Sequence, residues 1–464
     1  MLQPAVVAKG GLPRYAQSAT ATPKTAATVT VEALFSRFLL RFPPLAAPML
    51  PLLALALSLA AAPPTVDAAP TGPPLGALAL ALFHAASPPA ADAVPTATPI
   101  GAPFTLWDTR DSSCEKRFGP IDLPDTPARA FVDDANATVL VTGDSTSRLS
   151  RGPSLLTTTR DCTIVLNSTL SPDPSRYATD DGFLDATHSF GNGTVVALLH
   201  DEYPGMNFNN CAIKPFVWPG CWTVSLSLAV SQDWGRTWAR AAPPPANLVA
   251  AVPYPYEPTH TIFGWGDSGG ITPHPTDGYY YVAMNNRMAK GLQSNGTCVM
   301  RSNALLDPRS WRGWNGTAFA VPFASAYALP PGSQAAHICA VLAPFRASPC
   351  TVLGTAYSLP LRAFVATLGC WPDAQPGPVD PAFYWATSAD FVHWSDPAPL
   401  FTPPRQPNTQ FYLYPALLDA DAPARGDANY ATLGATATLT YTRVTNNFYT
   451  EGRQLMGQNF SFSL

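Results

Sequence analysis

The sequence has few charged residues and no basic excess. Of 464 residues, 27 are Lys or Arg and 31 are Asp or Glu, so the charged fraction is 12%, against about 25% in an average globular protein. The net charge of −4 argues against a nucleic-acid partner, because such a protein would present a basic face. Only five residues are Glu, so each Glu in the folded region is informative.

Several motifs are also missing. No Cys-x-x-Cys pair occurs, which argues against a zinc ribbon or a thioredoxin-type redox site. His-Glu-x-x-His, Gly-rich phosphate-loop and EF-hand patterns are absent, and we expect no metal and no cofactor. The 52 prolines exclude a coiled coil or a long-helix protein. The hydrophobic content of 47% and the aromatic content of 11% exclude a wholly disordered chain.

The N-terminal fifth of the chain differs from the remainder in composition. Residues 1–68 form a predicted signal-peptide region, in which Met49–Ala62 is apolar, follows two arginines and precedes small residues. Met49 is an alternative start of this signal. The apolar run is shorter than the ~20 residues of a membrane span, so we expect no span in the mature chain; an uncleaved signal anchor is the alternative. Residues 69–103 are interpreted as an unstructured Ala/Pro-rich linker, and 104–464 as the folded domain.

Two features of the folded region favour a secreted or lumenal glycoprotein. Asn-x-Ser/Thr sequons, which mark N-glycosylation acceptors, and an even number of cysteines both occur only after the signal region. In a secretory context the cysteines indicate disulfides, and we expect Cys211–Cys221 to form one of them. The sequons are at Asn136, Asn167, Asn192, Asn295, Asn315 and Asn459, and the cysteines at 114, 162, 211, 221, 298, 339, 350 and 370.

Short runs with β-type composition alternate with turn residues from Phe104 onward, and no apolar period of 3.6 residues interrupts them. Such a pattern predicts an all-β sandwich, barrel or propeller. The clearest predicted strands are Ala137–Thr142, Thr194–Leu199, Trp222–Ser231, Tyr279–Met284, Ala363–Leu368, Ala382–Thr387 and Ala437–Arg443.

An internal repeat favours the propeller. Residues Ser231–Trp238 fit Ser-x-Asp-x-Gly-x-Thr-Trp, and Ser388–Trp394 and Ser302–Trp311 repeat the order Ser, Asp, Trp. The Ser and Asp side chains of such a motif bond back to the turn backbone, and the Trp packs on the turn. The motif resembles the Asp box of sialidase-type β-propellers. That resemblance implies a propeller of five or six blades, with Asp233 and Asp390 structural and distant from the central site.

Longer stretches are similar to a group of secreted, sialidase-like propeller proteins of unassigned function. They are 152–205, 250–256, 278–281 and 298–316. The group is related to five- and six-bladed glycoside hydrolases, so the resemblance implies the fold without an established activity. The sequence lacks the Phe-Arg-Ile-Pro motif of sialidases and the Arg-Asp-Pro and Glu-Cys pairs of invertase-like enzymes.

The leading catalytic candidates follow the strand predicted at 194–199. Glycosidase propellers place two carboxylates at strand ends around a central funnel, one protonating the leaving oxygen and one attacking the sugar or activating water. Glu202 and Asp201 fit those roles, and His200 and Tyr203 are substrate-binding candidates beside them. The alternative is a polar strand end that bonds only its own loop.

Asp144 is the second catalytic candidate. It follows a predicted strand, so in a propeller it would face the funnel. Gly143-Asp144-Ser145 together with Asp185-Ala-Thr-His188 also imitates the nucleophile blocks of Gly-Asp-Ser esterases. Those enzymes are α/β proteins, and their Asp-x-x-His comes much later in the chain.

The remaining candidates would contact substrate. An aromatic-acid cluster on a Pro-rich loop is typical of a sugar-binding rim, and two arginines near strand ends are suited to clamp an anionic group. Tyr412 and Tyr414 are interpreted as core residues. We therefore predict a monomeric glycosidase-like enzyme acting on extracellular glycans, and as the alternative a non-catalytic carbohydrate- or protein-binding propeller. The loop cluster is Tyr254, Tyr256 and Glu257, and the arginines are Arg301 and Arg443.

Overall fold

The computed structural model describes residues 95–463 except 111–113, 115–121, 215–219, 288–292, 347–349, 371–382, 405 and 446–451. The predicted signal-peptide region and residues 69–94 of the predicted linker lie outside this part of the chain. Regular structure in the described residues is β-strand with short 3-10 helices, so the fold is all-β, and none of these helices has the length or hydropathy to cross a membrane. The 3-10 helices are Leu155–Thr157, Pro174–Arg176, Gly205–Phe208, Gln334–His337, Ala343–Phe345 and Pro423–Arg425.

The strands form five antiparallel blades within the described residues, and a parallel strand pairing joins blades 2 and 3 into one sheet. In blades 1 to 4 the strands follow chain order from the innermost outward. Blade 1 contains β2 (Arg129–Val132), β3 (Thr138–Val141), β5 (Leu149–Gly152) and β6 (Thr159–Arg160), beside the pair β4 (Thr146–Ser147) and β7 (Leu166–Asn167). Blade 2 contains β8 (Phe183–Ser189), β9 (Val195–Pro204) and β10 (Trp222–Ser231), with β11 (Ala239–Arg240) and β12 (Leu248–Ala250) on β10.

Blades 3 and 4 repeat this arrangement. Blade 3 contains β13 (Ile262–Ser268), β14 (Thr272–Pro273), β15 (Tyr280–Arg287), β16 (Gly296–Ser302), β17 (Arg312–Trp314) and β18 (Phe319–Pro322). Blade 4 contains β19 (Cys350–Ser358), β20 (Ala363–Cys370), β21 (Phe383–Ser388) and β22 (Ala398–Phe401).

Blade 5 joins the two ends of the described chain. β23 (Thr409–Leu418), β25 (Thr436–Thr445) and β26 (Arg453–Ser463) come from the C-terminal region, and β1 (Thr96–Asp108) supplies the outermost strand. The short β24 (Thr432–Leu433) pairs with β19 of blade 4. The propeller therefore begins at Thr96, within the segment interpreted as linker, because pairing with β26 satisfies the backbone of these Ala-, Pro- and Thr-rich residues.

The blades close into a ring because an apolar cluster lies between each neighbouring pair. Five such clusters occur in the described residues, for the pairs 1–2, 2–3, 3–4, 4–5 and 5–1. Both faces of a blade are thus buried, which explains continuous apolar runs such as Val195–Leu199. Val195 and Leu199 face blade 1, whereas Val196 and Leu198 face blade 3. The prediction of a five- or six-bladed propeller is confirmed, with five blades.

The predicted strands are confirmed as second or third strands of their blades. Each predicted strand coincides in large part with one of β3, β9, β10, β15, β20, β21 and β25. In blades 2, 3 and 4 the Ser/Asp/Trp turns all connect the third strand to the fourth, so Trp238, Trp311 and Trp394 occupy equivalent positions. The end of the ring at which the innermost strands begin is termed the entrance end. In an antiparallel blade the third strand runs in the same direction as the innermost one, so it ends at the opposite end of the ring. The Ser/Asp/Trp turns that follow the third strand therefore lie at that opposite end, termed the turn end.

Disulfides covalently fix connections between strands. Cys211–Cys221 is formed as predicted, with a sequence separation of 10. Cys114–Cys162 joins the segment after β1 to blade 1, and Cys298–Cys339 fixes the long connection after β18 to β16. No described cysteine is free.

Candidate functional site

The side chain of Arg129 crosses the centre of the ring. From the innermost strand of blade 1, its Nη2 donates to the carbonyl oxygens of Ser268 (2.6 Å) and Leu353 (2.9 Å), which belong to blades 3 and 4. Burial lowers the pKa of Arg129, and the negative charges of Asp185 and Asp267 oppose that shift. The guanidinium thus ties three blades together beneath a group of carboxylates at the entrance end.

Asp125 precedes β2 at this end. Its backbone N–H donates to the carbonyl of Gly143 at 3.0 Å, which fixes the loop against blade 1. Its side chain, 23% exposed, accepts hydrogen bonds from the Tyr414 hydroxyl at 2.9 Å and from Nη1 of Arg453. Burial disfavours the charge on Arg453, but Asp125 and Tyr414 raise its pKa above the usual value. Both partners come from blade 5.

Asp267 stands on the innermost strand of blade 3, in a different environment. Its side chain is 14% exposed, and burial is the main reason that its pKa is raised to about 6. The charges of Asp185 and Asp125 raise the pKa further, whereas His200 and Arg287 lower it. Asp125 and Asp267 therefore lie near enough to interact electrostatically, and their surroundings differ.

His200 and Glu202, both on β9 of blade 2, form a chain of contacts that ends at Asp267. They are two positions apart on β9, so both side chains leave the same face of the strand. Nε2 of His200 lies 2.9 Å from Oε1 of Glu202, and Nδ1 lies 3.9 Å from Oδ1 of Asp267. Burial opposes a charge on His200, but the hydrogen bond to Glu202 and the nearby acids raise its pKa to about 9. Asp125, Asp267, His200, Glu202, Tyr414 and Arg453 are termed the axial cluster.

A cavity with an empty volume of about 410 Å³, including space open to solvent, lies beside the axial cluster. Glu202 forms part of its wall, whereas Asp125 and Asp267 are not among the lining residues. Five tyrosines line it as well, together with small apolar residues and small polar side chains such as Thr179, Thr223 and Ser225. This cavity is termed the tyrosine pocket, and its tyrosines are Tyr177, Tyr203, Tyr254, Tyr256 and Tyr327.

The structure brings together six of the ten predicted site residues. His200 lies in the axial cluster, Glu202 links that cluster to the pocket, and Asp201, Tyr203, Tyr254 and Tyr256 line the pocket. The prediction that residues 200–203 follow a strand is wrong, because β9 continues to Pro204. Within the strand, alternate side chains point to opposite faces, and this separates Asp201 from Glu202.

Asp201 and Asp144 are both buried and bonded to their own surroundings. Asp201 accepts a hydrogen bond from the Ser227 hydroxyl at 2.9 Å, and burial together with Asp181 raises its pKa well above the usual value. Asp144 accepts from the backbone N–H groups of Leu123 (2.9 Å) and Ser145 (2.6 Å). Burial and the charge of Asp125 raise its pKa strongly. Asp144 thus holds the loop that carries Asp125.

The other predicted contacts lie outside the site. Glu257 lies 3.6 Å from His260 and is not among the residues lining the pocket. Arg301 lies at the turn end, stacked 4.0 Å from the ring centre of Tyr279 and hydrogen-bonded to the Tyr281 hydroxyl at 2.9 Å.

Arg443 is buried within blade 5. Its guanidinium donates to the Thr409 hydroxyl, the Gln454 side chain and the Pro407 carbonyl at 2.5–2.8 Å. These contacts use the guanidinium N–H groups of Arg443 that would otherwise bind a substrate anion.

Sequence reasoning missed Asp125, Asp267, Tyr414 and Arg453. The only signal for the two acids is a position on, or just before, an innermost strand, and the composition of those strands did not reveal them. Tyr412 packs in the core between blades 4 and 5, as predicted. Tyr414 instead has φ of 57°, where β23 is irregular, and turns toward Asp125. In the part of the chain that the structure describes, no group of three or more His, Cys, Asp or Glu is arranged to hold a metal ion.

Known proteins resemble the chain only distantly. No family model matches it, and no curated protein matches it. Among solved structures, a glycosyl hydrolase from Bacteroides ovatus has 10% identity, a TM-score of 0.41 and covers 76% of this chain and 94% of its own. A GH62 hydrolase in complex with xylotriose has 9% identity, a TM-score of 0.40 and coverage of 77% and 95%. The α-L-arabinanase of Cellvibrio cellulosa has 10% identity, a TM-score of 0.37 and coverage of 72% and 91%.

Proposed function

We propose that this protein is a glycoside hydrolase whose reacting carboxylates are Asp125 and Asp267. The observation that carries the proposal is their contrasting environment at the entrance end of the axis. Asp125 accepts hydrogen bonds from Arg453 and Tyr414, whereas burial and neighbouring acids raise the pKa of Asp267 to about 6. Two neighbouring carboxyl groups in unlike surroundings are what acid–base cleavage of a glycosidic bond requires.

The roles follow from these surroundings. Asp267 donates its proton to the glycosidic oxygen as the bond to the leaving sugar breaks. Asp125 acts on the anomeric carbon from the other side, either directly or by removing a proton from the attacking water. His200 lies against Asp267 and limits the rise of its pKa, and Glu202 contacts the substrate from the pocket side. Asp144 and Asp201, the other catalytic predictions, act as structural acids.

The test compares purified wild-type protein with Asp125→Asn on a panel of neutral and acidic oligosaccharides, with release of reducing ends as the measurement. Loss of the carboxylate should lower kcat by about 100- to 10,000-fold, the range for a single acid–base group. Asp396→Asn is the matched control, because Asp396 is an exposed carboxylate between β21 and β22. Undiminished turnover by Asp125→Asn would remove this residue from the reaction.

A non-catalytic carbohydrate-binding propeller is the second candidate. It is favoured by the position of the tyrosine pocket, which lies beside Asp125 and Asp267 and not over them. This alternative predicts that oligosaccharides bind without turnover at every pH tested. It also predicts that Asp125→Asn and Asp267→Asn bind as tightly as the wild type.

We also propose that the protein is secreted or lumenal and N-glycosylated, and that it acts as a monomer. Disulfides of the kind present here persist in oxidising compartments. Five of the six sequon asparagines are exposed and accessible to glycan transfer, and Asn459 is partly buried in β26. Digestion of the secreted protein with an N-glycosidase should lower its mass in steps, and size-exclusion chromatography should give the mass of one chain. The exposed asparagines are Asn136, Asn167, Asn192, Asn295 and Asn315.

A further inference from the structure

The innermost strand of blade 5 is interrupted at the tyrosine of the axial cluster. Where β23 pairs with β25, the register shifts, so that Tyr414 and Pro415 together oppose the single residue Tyr441. Such a β-bulge redirects a side chain and is common beside active sites. Tyr414 and Pro415 are termed the axial bulge.

The backbone of the axial bulge is strained. Tyr414 has a φ of 57°, a left-handed conformation that a bulky residue rarely adopts, and the proline that follows restricts its backbone further. Such a conformation persists only where the surrounding structure fixes it. It sends the Tyr414 hydroxyl to Oδ1 of Asp125 at 2.9 Å, while Pro415 is buried. The contacts of Pro415 therefore decide where Tyr414 points.

Two residues of blade 4 form the seat of Pro415. The buried hydroxyl of Thr367 donates to the Pro415 carbonyl at 2.9 Å. Gly354 lies on the adjoining strand β19, and a Cβ built on it would lie 3.1 Å from that carbonyl oxygen and 2.9 Å from Cα of Ala416. The same Cβ would overlap Oγ1 of Thr367. A side chain at position 354 would therefore displace either the threonine or the strand that carries Tyr414.

The glycine at position 354 is required by space and not by backbone conformation. Its φ does not lie in the left-handed region, so an alanine fits the same backbone. β19 also contains an extra residue, Leu353, in its pairing with β20, and the carbonyl of Leu353 accepts from Nη2 of Arg129 at 2.9 Å. The bulges of β19 and β23 thus bring one carbonyl to the central arginine and one hydroxyl to Asp125, with Gly354 between them.

We propose that Gly354 and Thr367 are positioning residues for Asp125, and that they act through the axial bulge by holding the Tyr414 hydroxyl on that carboxyl group. The consequence for catalysis rests on the proposed function, because a misplacement of about 1 Å near reacting groups can cost on the order of 100-fold in rate. The placement itself does not rest on it and is measured without substrate.

The first experiment compares crystal structures of the full-length wild type and Gly354→Ala. The added methyl group should move β23 or Thr367, so that the distance of 2.9 Å from the Tyr414 hydroxyl to Asp125 lengthens beyond the hydrogen-bond range of about 3.2 Å. An unchanged hydrogen bond in Gly354→Ala would overturn the proposal.

Gly313→Ala is the matched control, because Gly313 lies on β17 of blade 3 and a Cβ there would lie 2.8 Å from the ring of Phe323. This variant is equally crowded and should keep the hydrogen bond to Asp125. Thr367→Val provides the same comparison where Gly354→Ala does not fold, since it removes only the hydroxyl that holds Pro415.

The second experiment measures kcat and KM on the oligosaccharide panel. Tyr414→Phe should lower kcat by about 10-fold, and Thr367→Val by about 3- to 10-fold with KM unchanged, because each removes one hydrogen bond. Thr367→Ser keeps the hydroxyl and should restore kcat. In the Tyr414→Phe background, Thr367→Val should lower kcat no further, because its effect passes through the missing hydroxyl.

Thr440→Val is the control for a purely structural role. The buried Thr440 hydroxyl donates to the Ala416 carbonyl of the same strand at 3.0 Å, so its loss should lower the midpoint of urea unfolding and leave kcat unchanged. Equal losses of kcat in Thr440→Val and Thr367→Val, or additive effects of Thr367→Val and Tyr414→Phe, would refute the positioning role of Thr367.

The two proposals fail in different ways. If Asp125→Asn retains turnover while Gly354→Ala separates Tyr414 from Asp125, the catalytic assignment is wrong and the seat stands. If Asp125→Asn abolishes turnover while Gly354→Ala keeps that hydrogen bond, the catalytic assignment stands and the seat is wrong.

Discussion

The two ends of the propeller use the same residue type in opposite ways. At the turn end, Asp233 and Asp390 are enclosed by donors from their own turns, which hold the pKa of each below its usual value and that of Asp390 at about 2 although burial opposes this. At the entrance end, Asp267 lacks such a set of donors and lies near other acids, so its pKa rises to about 6. The number of backbone and side-chain donors around the carboxylate thus distinguishes Asp233 and Asp390 from Asp267.

The hydrogen bonds of the turn end show how complete this enclosure is. Oδ1 of Asp233 accepts from the Ser231 hydroxyl (2.7 Å) and from the backbone N–H of Thr237 (2.8 Å), and Oδ2 accepts from the Thr237 hydroxyl (2.6 Å). Nε1 of Trp238 donates to the Gly235 carbonyl at 3.1 Å. Three of the roughly four acceptor sites of this carboxylate are thus used by its own turn.

The largest expected effect comes from comparing the same Asp→Asn substitution at the two ends. Asp267→Asn should lower kcat by about 100- to 10,000-fold, while the midpoint of urea unfolding stays near that of the wild type or rises, because a buried acid is removed. Asp233→Asn should leave kcat unchanged and lower the free energy of unfolding by about 1–2 kcal/mol, because its turn loses charge-assisted hydrogen bonds. Paired activity and unfolding measurements check this, and a loss of activity in Asp233→Asn alone would erase the distinction between the ends.

A second prediction concerns the apolar part of the turn end. Trp238 is 8% exposed and belongs to the cluster between blades 1 and 2. Trp238→Ala should lower the free energy of unfolding by about 3–5 kcal/mol, the usual cost of deleting a large buried aromatic. The kcat on oligosaccharides, measured in the fraction that remains folded, should not change. A selective loss of kcat would show that the turn end communicates with the entrance.

The third prediction is that stability at the two ends responds to pH in opposite directions. His200 has its pKa raised from 6.5 to about 9 in the folded state, so its contribution is complete below pH 6.5 and is lost as pH rises through about 9. Asp390 has its pKa lowered from 3.8 to about 2, so its contribution is complete above pH 3.8 and is lost as pH falls through about 2.

Thermal unfolding across this range provides the measurement. His200→Gln should flatten the alkaline fall in Tm and leave the acid fall unchanged, whereas Asp390→Asn should do the reverse. The hypothesis fails if either substitution flattens the opposite limb.

The smallest predicted effect is a shift in the pH profile of activity. If Asp267 must be protonated, kcat/KM should fall as pH rises through about 6, the pKa of this residue. The charge of His200 lowers that pKa, so His200→Gln should move the alkaline limb to higher pH. Rate measurements at a series of pH values check the direction, and a shift to lower pH would contradict the assignment of Asp267 as the acid.

Much of the architecture could be predicted from the sequence. Second and third strands are buried on both faces, so runs such as Thr194–Leu199 and Trp222–Ser231 are apolar and easily recognised. The Ser/Asp/Trp turns depend on local hydrogen bonds, and their sequence therefore identifies equivalent positions in three blades. Glu202 was found because Glu is rare in this sequence and stands near the end of such a strand.

The proposed reactive centre was harder to predict because the innermost strands lack that apolar pattern. β8 contains Asp185, Thr187 and His188, and β13 places two glycines around Trp265 before Asp267. Near the axis, room for side chains is limited and polar groups replace apolar ones. The partners of Asp125 come from blade 5, where Tyr414 is 289 and Arg453 is 328 residues away in sequence. Only the closed ring brings such residues together.

The pairing of β1 with β26 has a consequence for folding. Thr96 is opposite Ser463, so the last blade cannot assemble until β26 has left the ribosome. Arg453 lies on the same late strand, and with it the ion pair that holds Asp125. A nascent chain with four finished blades would therefore still lack the charged partner of its first proposed reacting carboxylate.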